Sequence, residues 1–155
     1  LVQYIKDHPE NNYIIAPHEL QNISALQKQT NALLFSETDN TDISNSNVLI
    51  IDSIGILSNI YQYANIAYIG GGFGAGIHNV LEAVAFGLPV IFGPNYQKFN
   101  EAKELINQKG AISISNYTEL TSAIDCFSTF NKSIAINYIK ENSGATTKIL
   151  DSIIT

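Results

Sequence analysis

Residues 66–98 have the sequence IAYIGGGFGAGIHNVLEAVAFGLPVIFGPNYQK, which contains the elements that decide the fold. The runs 66–69 and 89–92 are short and apolar, as expected of strands buried in a parallel sheet. Five glycines follow the first run, and apolar residues at helical spacing then occupy 77–86. A strand, a glycine-rich turn, a helix and a second strand form the repeating unit of parallel α/β sheets.

The same alternation continues on both sides of this stretch. We therefore predict an α/β fold: a Rossmann-like, doubly wound parallel sheet of about six strands, with helices on both faces and right-handed crossovers. The predicted strands are 13–16, 32–35, 48–51, 66–69, 89–92 and 111–114, and the predicted helices are 56–64, 77–86, 97–108 and 117–127.

Two segments lack this alternation. The polar stretch 36–47 has no apolar periodicity and is predicted to be an exposed loop. The tail 130–155 is predicted to form one or two further helices, broken near Ser143 and Gly144. No linker is visible, so we expect 1–155 to be a single domain. Because the chain starts at Leu1 and contains no Met, we expect it to be a piece of a longer protein.

Composition excludes several classes of function. Only 14% of the 155 residues are charged, and the net charge is −6. An acidic chain is a poor partner for phosphate backbones and for anionic membranes, so we expect neither nucleic-acid binding nor a polybasic anchor. No apolar run is long enough to span a membrane, and the fragment is expected to be soluble. A single cysteine, Cys126, excludes an internal disulfide and a cysteine-cluster metal site.

The glycine loop is the strongest candidate for a binding site. We predict that it binds a phosphate group, because glycines let a ligand approach the backbone and a helix start near Ile77 would supply free N–H groups. The alternative is a tight turn packed against a neighbour. Neither the dinucleotide pattern G-x-G-x-x-G nor the P-loop pattern fits the loop. Its glycines are Gly70, Gly71, Gly72, Gly74 and Gly76.

Three polar residues follow the loop. Asn79 and Glu82 are three residues apart and would share one helix face. Asn79 could donate to a phosphate or sugar oxygen, or cap the helix. Glu82 could accept hydrogen bonds from a ribose diol, or interact with the helix dipole. His78 is a candidate for phosphate contact, with a structural role equally open.

The block GGGFGAGIHNVLEAVAFGLPVIFGPNYQKF resembles the C-terminal half of bacterial 3-deoxy-D-manno-octulosonic acid (Kdo) transferases, which are two-domain glycosyltransferases of the B type (GT-B). The shared pattern is a glycine-rich loop, then HN-x-LE, then G-x-PV-x-x-GP. The segments 14–19 and 48–71 also look like this family. The resemblance implies a Kdo transferase that moves Kdo from CMP-Kdo to a lipid A precursor in lipopolysaccharide synthesis.

The resemblance also implies roles for individual residues. The chain would be the nucleotide-sugar donor domain, with the glycine loop, His78 and Asn79 facing the CMP phosphate and Glu82 facing the ribose. His18 stands where many family members have Arg, also facing phosphate. Lys98 could reach a donor or acceptor carboxylate, or be simply solvated. Asp52, Ser53 and Gly55 look like the family's D-[ST]-x-G turn, with a helix cap as the simpler role for Ser53.

No general base is evident in the chain. The resemblance implies that the catalytic base, an acidic residue, belongs to an N-terminal domain that is absent here, together with the acceptor site and the membrane-binding face. The fragment alone is therefore expected to be inactive, and the whole protein is expected at the cytoplasmic face of the bacterial inner membrane. No carboxylate cluster suggests a cation site, so we expect metal-independent catalysis without a cofactor.

Two alternatives remain open. The first is another GT-B enzyme that uses a UDP-sugar, such as an N-acetylglucosaminyltransferase or an epimerase. The second is a non-catalytic nucleotide-binding module that regulates a partner. The nucleotide that the chain prefers distinguishes the first alternative from the Kdo transferase hypothesis.

Overall fold

A computed structural model describes residues 1–40, 46–144, 150 and 153. The chain is an α/β protein with parallel sheets, and it divides into two compact units, Leu1–Leu57 and Ser58–Thr155. The predicted α/β class is confirmed, and all six predicted strands are present. They pair as two three-stranded parallel sheets, one in each unit, instead of the single sheet of about six strands that was predicted. The prediction of a single domain over 1–155 stays a prediction.

The first unit contains three strands, with β3 in the middle of the order β1-β3-β2. All pairs are parallel, and the register aligns Ile15 and Leu34 with Ile50. Ile50 is completely buried, and it forms a small core with Ile5, Ala32 and Val48. The elements are α1 (Val2–Asp7), β1 (Tyr13–Ile15), a 3₁₀ helix (Leu20–Asn22), α2 (Ile23–Thr30), β2 (Leu33–Leu34), a 3₁₀ helix (Phe35–Asn40) and β3 (Val48–Ile50).

Helix α3 (Leu57–Ile60) follows at the boundary between the units. In the second unit the sheet order is β4-β5-β6, and every pair is parallel. Its further elements are a 3₁₀ helix (Tyr61–Tyr63), β4 (Ala67–Tyr68), α4 (Leu81–Ala85), β5 (Val90–Phe92), α5 (Asn100–Asn107), β6 (Ala111–Ser113), α6 (Tyr117–Phe127) and α7 (Ser133–Asn142).

The core of the second unit surrounds the central strand β5, whose three residues are all buried. Helix α4 packs against α7, and Leu105 of α5 is completely buried in the same cluster. The hydroxyl of the buried Tyr138 donates to a carboxylate oxygen of Glu104 at 2.8 Å. Burial and the Glu104 carboxylate both raise the pKa of Tyr138. This buried polar group is therefore satisfied, and α7 is tied to α5.

Several predicted boundaries were wrong. The helix predicted over 77–86 begins only at Leu81, because Ile77 pairs with Gly71 in an antiparallel bridge. Part of the loop predicted over 36–47 is a 3₁₀ helix, Phe35–Asn40, and its residues 41–45 lie outside the described residues. The helix predicted over 56–64 is only Leu57–Ile60, followed by a 3₁₀ helix in which Tyr63 is 74% exposed.

The predicted break in the C-terminal tail is partly confirmed. Helix α7 ends at Asn142, Ser143 is extended, and Gly144 has a φ of +86°. Whether a second helix follows is undecided, because most of 145–155 lies outside the described residues. Within the described part of the chain, no helix has the length and apolar character that a membrane crossing requires.

Candidate functional site

The glycine loop leaves the carboxyl end of β4 and closes on itself. The N–H of Gly72 donates to the carbonyl oxygens of Ala75 and Gly76 at 3.2 and 3.1 Å. The N–H of His78 donates to the Gly70 carbonyl at 3.3 Å, next to the bridge between Gly71 and Ile77. The loop is therefore a narrow, self-bonded turn with an exposed tip at 73–76.

The loop does not lead directly into a helix, contrary to the sequence prediction. Residues 78–80 are not helical, and α4 has only five residues, Leu81–Ala85. His78 and Asn79 therefore precede the helix instead of opening it. A helix this short, separated from the loop by several residues, is not the source of dipole stabilisation that the sequence suggested.

Close packing explains three of the five glycines. A Cβ on Gly71 would lie 2.6 Å from the carbonyl oxygen of Gly76, and one on Gly72 would lie 2.9 Å from the backbone of Gly93. Gly72 also has a φ of +80°, which disfavours any residue with a side chain. A Cβ on Gly76 would lie 2.7 Å from the Phe99 ring. At these three positions the tight-turn alternative is sufficient.

The other two glycines have room for a side chain. A Cβ on Gly74 would contact nothing within 4 Å, and one on Gly70 would make only an ordinary contact with His78. Among the residues that the structure describes, none accepts a hydrogen bond from the N–H groups of Phe73, Gly74 and Ala75. Three consecutive exposed residues therefore have backbone N–H groups from which an anion could accept hydrogen bonds.

Asn79 and Glu82 form a local pair beyond the loop. The Asn79 Nδ2 group donates to Glu82 Oε1 at 2.9 Å, and Asn79 Oδ1 accepts from the N–H of Leu81 at 3.0 Å. The predicted proximity of the two side chains is therefore confirmed. Asn79 also satisfies an N–H at the helix start, which is the structural alternative considered for it.

Glu82 lies at the surface, although its neighbours in the sequence are apolar. Its side chain is exposed, because the apolar residues Ala83 and Val84 fill the core side of α4. The half-buried Tyr61 lies near enough for the Glu82 charge to matter: burial, and secondarily this charge, raises the pKa of the Tyr61 hydroxyl. The apolar sequence around Glu82 therefore does not indicate that its side chain is buried.

The remaining predicted residues are exposed. His18 lies in a bend after β1 in the first unit. Lys98 lies in the loop after β5, in the second unit. Near it, Asn95 donates its N–H to the Gly72 carbonyl at 2.9 Å and its Nδ2 group to the Gly74 carbonyl at 3.1 Å. The sequence indicated no role for Asn95.

Asp52 has a partner that the sequence did not indicate. Its two carboxylate oxygens accept from the N–H and the hydroxyl of Ser36, at 3.0 and 2.5 Å. These bonds join the segments that follow β2 and β3. Ser53 does not cap a helix, because α3 begins four residues later at Leu57, so that expectation was wrong.

The Ser36 bonds lower the pKa of Asp52, and the hydroxyl has the largest effect. A carboxyl with a lowered folded-state pKa stabilises the fold above its unfolded-state pKa of about 4, and this stabilisation is lost as the pH falls through the folded-state value. We expect Ser36→Ala to raise the pKa of Asp52 toward its ordinary value, as followed by carboxyl ¹³C NMR. Ser53→Ala is the matched control, and an unchanged pKa in Ser36→Ala would refute this assignment.

Two cavities are lined by residues outside the glycine loop. One, of about 350 Å³, is lined in the first unit by residues that include Pro17, Leu26 and Gln29. The other, of about 280 Å³, is lined in the second unit by Ile112, Thr118 and Glu119 among others. Within the described residues, no group of three or more His, Cys, Asp or Glu side chains is placed to hold a metal ion.

Comparison with known proteins yields a consistent group of relatives. The chain is 31% identical over 133 residues to the 3-deoxy-D-manno-octulosonic acid transferase of Aquifex aeolicus, covering 84% of this chain and 37% of that protein. The enzyme of the same name from Rickettsia prowazekii is 31% identical over 141 residues, covering 90% of this chain and 29% of the relative. The resemblance to Kdo transferases is confirmed. No protein-family model matches the chain.

A solved structure shows the same fold. The C-terminal CMP-Kdo binding domain of WaaA from Acinetobacter baumannii superposes with a TM-score of 0.74 at 18% identity, covering 90% of this chain and 79% of that one. The chain therefore shares the α/β fold of that domain. The chain spans little more than a third of the length of the Aquifex relative and less of the Rickettsia one.

Proposed function

We propose that this chain is the donor-binding domain of a Kdo transferase, which moves Kdo from CMP-Kdo to a lipid A precursor. The observation that carries the proposal is sequence similarity to curated Kdo transferases over 84–90% of the chain. The fold shared with a CMP-Kdo binding domain supports it. Lipopolysaccharide synthesis is the process in which this transfer belongs.

The exposed N–H groups of Phe73, Gly74 and Ala75 are the proposed phosphate ligands. They are consecutive backbone donors in one tight turn, and such donors favour a negatively charged ligand. The absence of a side chain at Gly74 leaves the approach to them open. When the glycosidic bond to the phosphate breaks, the same donors would stabilise the negative charge that develops on the leaving group.

Glu82 is the proposed ribose ligand. Asn79 holds one of its oxygens, while the carboxylate as a whole can accept about four hydrogen bonds, so capacity remains for a diol. His78 is proposed to contact the phosphate, and Lys98 a donor or acceptor carboxylate. His18 is likewise proposed as a phosphate contact. Their exposed side chains are compatible with these roles.

The catalytic base and the lipid acceptor site are proposed to lie in a part of the whole enzyme outside this chain. We propose metal-independent catalysis at the cytoplasmic face of the inner membrane, with membrane contact made through that other part. Phosphate is a good leaving group when preorganised donors neutralise it, so backbone N–H groups can replace a cation in this role.

A transfer assay tests whether this chain alone or only the full-length protein catalyses the reaction. CMP-Kdo with a radiolabelled Kdo group is added, together with a detergent-solubilised lipid A precursor, to the 155-residue chain and separately to the full-length protein. We expect transfer only by the full-length protein, because the base and acceptor must lie within a few ångström of the reacting carbon. Turnover by the chain alone would refute the placement of the base elsewhere. No transfer by the full-length protein would refute the proposed activity.

A further inference from the structure

The glycine loop is in contact with the loop that follows the neighbouring strand β5. A Cβ built on Gly93 would lie 2.5 Å from the backbone of Gly72, and one built on Gly72 would lie 2.9 Å from Gly93. Only two glycines allow backbones to approach so closely. The two loops therefore meet backbone to backbone, and whatever fixes the second loop also constrains the first.

Asn95 joins these loops through two separate hydrogen bonds. Its backbone N–H donates to the Gly72 carbonyl at 2.9 Å, at the base of the glycine loop. Its side-chain Nδ2 donates to the Gly74 carbonyl at 3.1 Å, at the tip. The Gly74 carbonyl belongs to the peptide unit that carries the Ala75 N–H, so the side-chain bond fixes the direction in which that N–H points.

The other bonds of the loop do not reach the Gly74 carbonyl. The Gly72 N–H donates to the carbonyl oxygens of Ala75 and Gly76, and the His78 N–H donates to the Gly70 carbonyl. Among the described residues, only Asn95 donates to a carbonyl at position 74. Without the Asn95 side chain, the Gly74 carbonyl would lose this hydrogen bond, and the peptide unit between Gly74 and Ala75 would be held only through its neighbours in the chain.

We propose that Asn95 is a positioning residue for anion binding: its side chain holds the glycine-loop tip so that the N–H groups of Phe73, Gly74 and Ala75 point outward together. Preorganised donors bind an anion better than mobile ones because the cost of ordering them is met before binding. This inference rests on the proposed function of the loop. Asn95 itself is not proposed to contact CMP-Kdo.

Asn95→Ala is the direct test, and Gln97→Ala is its matched control. Gln97 is an exposed amide in the same loop whose Nε2 group donates to the Pro94 carbonyl at 2.9 Å, but that bond does not reach the glycine loop. Asn95→Asp is a second variant, because a carboxylate of the same size cannot donate to the Gly74 carbonyl. All three variants retain the backbone N–H at position 95, so the base of the loop keeps its bond.

Two measurements on the ¹⁵N-labelled chain decide the outcome. The heteronuclear NOE reports the order of the loop without any ligand, and titration with CMP reports its binding. In Asn95→Ala and Asn95→Asp we expect lower NOE values at residues 73–75 and a CMP dissociation constant raised about threefold to tenfold, the range expected from one neutral hydrogen bond. Gln97→Ala should match the wild type in both measurements.

Each failure points to a different claim. Unchanged NOE values at 73–75 in both Asn95 variants would overturn the positioning role, even if the CMP dissociation constant rose. Lower NOE values with unchanged CMP affinity would show that the order of the tip does not matter for binding, and would also overturn the inference. If CMP perturbs no residue of the wild-type loop, the proposed function of the loop is refuted, and with it the claim that Asn95 promotes CMP binding. The NOE values would still show whether the Asn95 side chain orders residues 73–75.

Discussion

Gly72→Ala is expected to lower the free energy of unfolding by about 2–5 kcal/mol. A left-handed backbone costs a residue with a side chain about 1–2 kcal/mol, and overpacking costs about 1–3 kcal/mol more. Both apply here, because Gly72 has a φ of +80° and its added Cβ would lie 2.9 Å from the Gly93 backbone. Backbone atoms cannot move aside as a side chain does, so the strain must displace one of the two loops. Urea denaturation measures the change.

Gly74→Ala is the matched control for this prediction. Gly74 belongs to the same loop, but its added Cβ would contact nothing within 4 Å. We expect a change in unfolding free energy within about 0.5 kcal/mol, as is usual for surface positions. Equal destabilisation by the two variants would show that the contact between Gly72 and Gly93 is not what requires glycine in this loop.

Glu82→Gln in the full-length enzyme is expected to weaken the apparent donor affinity more than tenfold. Hydrogen bonds to charged groups contribute about 1.5–3 kcal/mol, and every 1.4 kcal/mol corresponds to a factor of ten. Because Glu82 is exposed and its bond from Asn79 can also be accepted by a Gln oxygen, the fold should tolerate the change. Donor kinetics and the melting temperature are measured on the same preparation.

Glu101→Gln provides the comparison, since Glu101 is also an acidic residue in the first turn of its helix. It tests whether loss of a helix-start charge is sufficient to produce the effect. We expect near-normal donor kinetics in this variant. A lowered melting temperature with normal donor kinetics in Glu82→Gln would instead identify Glu82 as a structural residue.

The strands were predictable because their signal is local. Each apolar run of about four residues bounded by Gly, Pro, Asn, Asp or Ser contains an observed strand, and β5 is buried along its whole length as such a run predicts. Helix α6, predicted over 117–127, has those bounds, since Asn116 caps it through a bond from the Glu119 N–H. Here the capping residue and the apolar periodicity indicate the same helix start.

The start of α4 was not predictable from periodicity. Ile77 and Val80 fit the helical stripe, and both are buried, yet neither is helical. Ile77 is buried through its bridge to Gly71, a pairing that depends on how the loop closes. An apolar residue that is buried in a loop looks the same in the sequence as one on the buried face of a helix. The apolar spacing therefore predicted a helix that begins too early.

For polar residues too, contacts between near neighbours in the sequence were predictable and contacts between distant residues were not. That the side chains of Asn79 and Glu82 lie close together follows from a spacing of three residues and was predicted, although their hydrogen bond was not. The bonds from Ser36 to Asp52 and from Asn95 to Gly74 join residues 16 and 21 positions apart, and only the fold brings them together. No feature of the sequence near Ser36 or Asn95 could have indicated these partners.

The central claim is that the glycine loop binds the phosphate of a cytidine nucleotide, and NMR titration tests it most directly. CMP, UMP, AMP and NAD are added in turn to the ¹⁵N-labelled chain. The account predicts that CMP binds best, weakly, and shifts the amide signals of residues 70–82. Tighter binding of a uridine nucleotide would favour the UDP-sugar alternative. Equal shifts with all four nucleotides, or CMP shifts confined to other residues, would contradict the account.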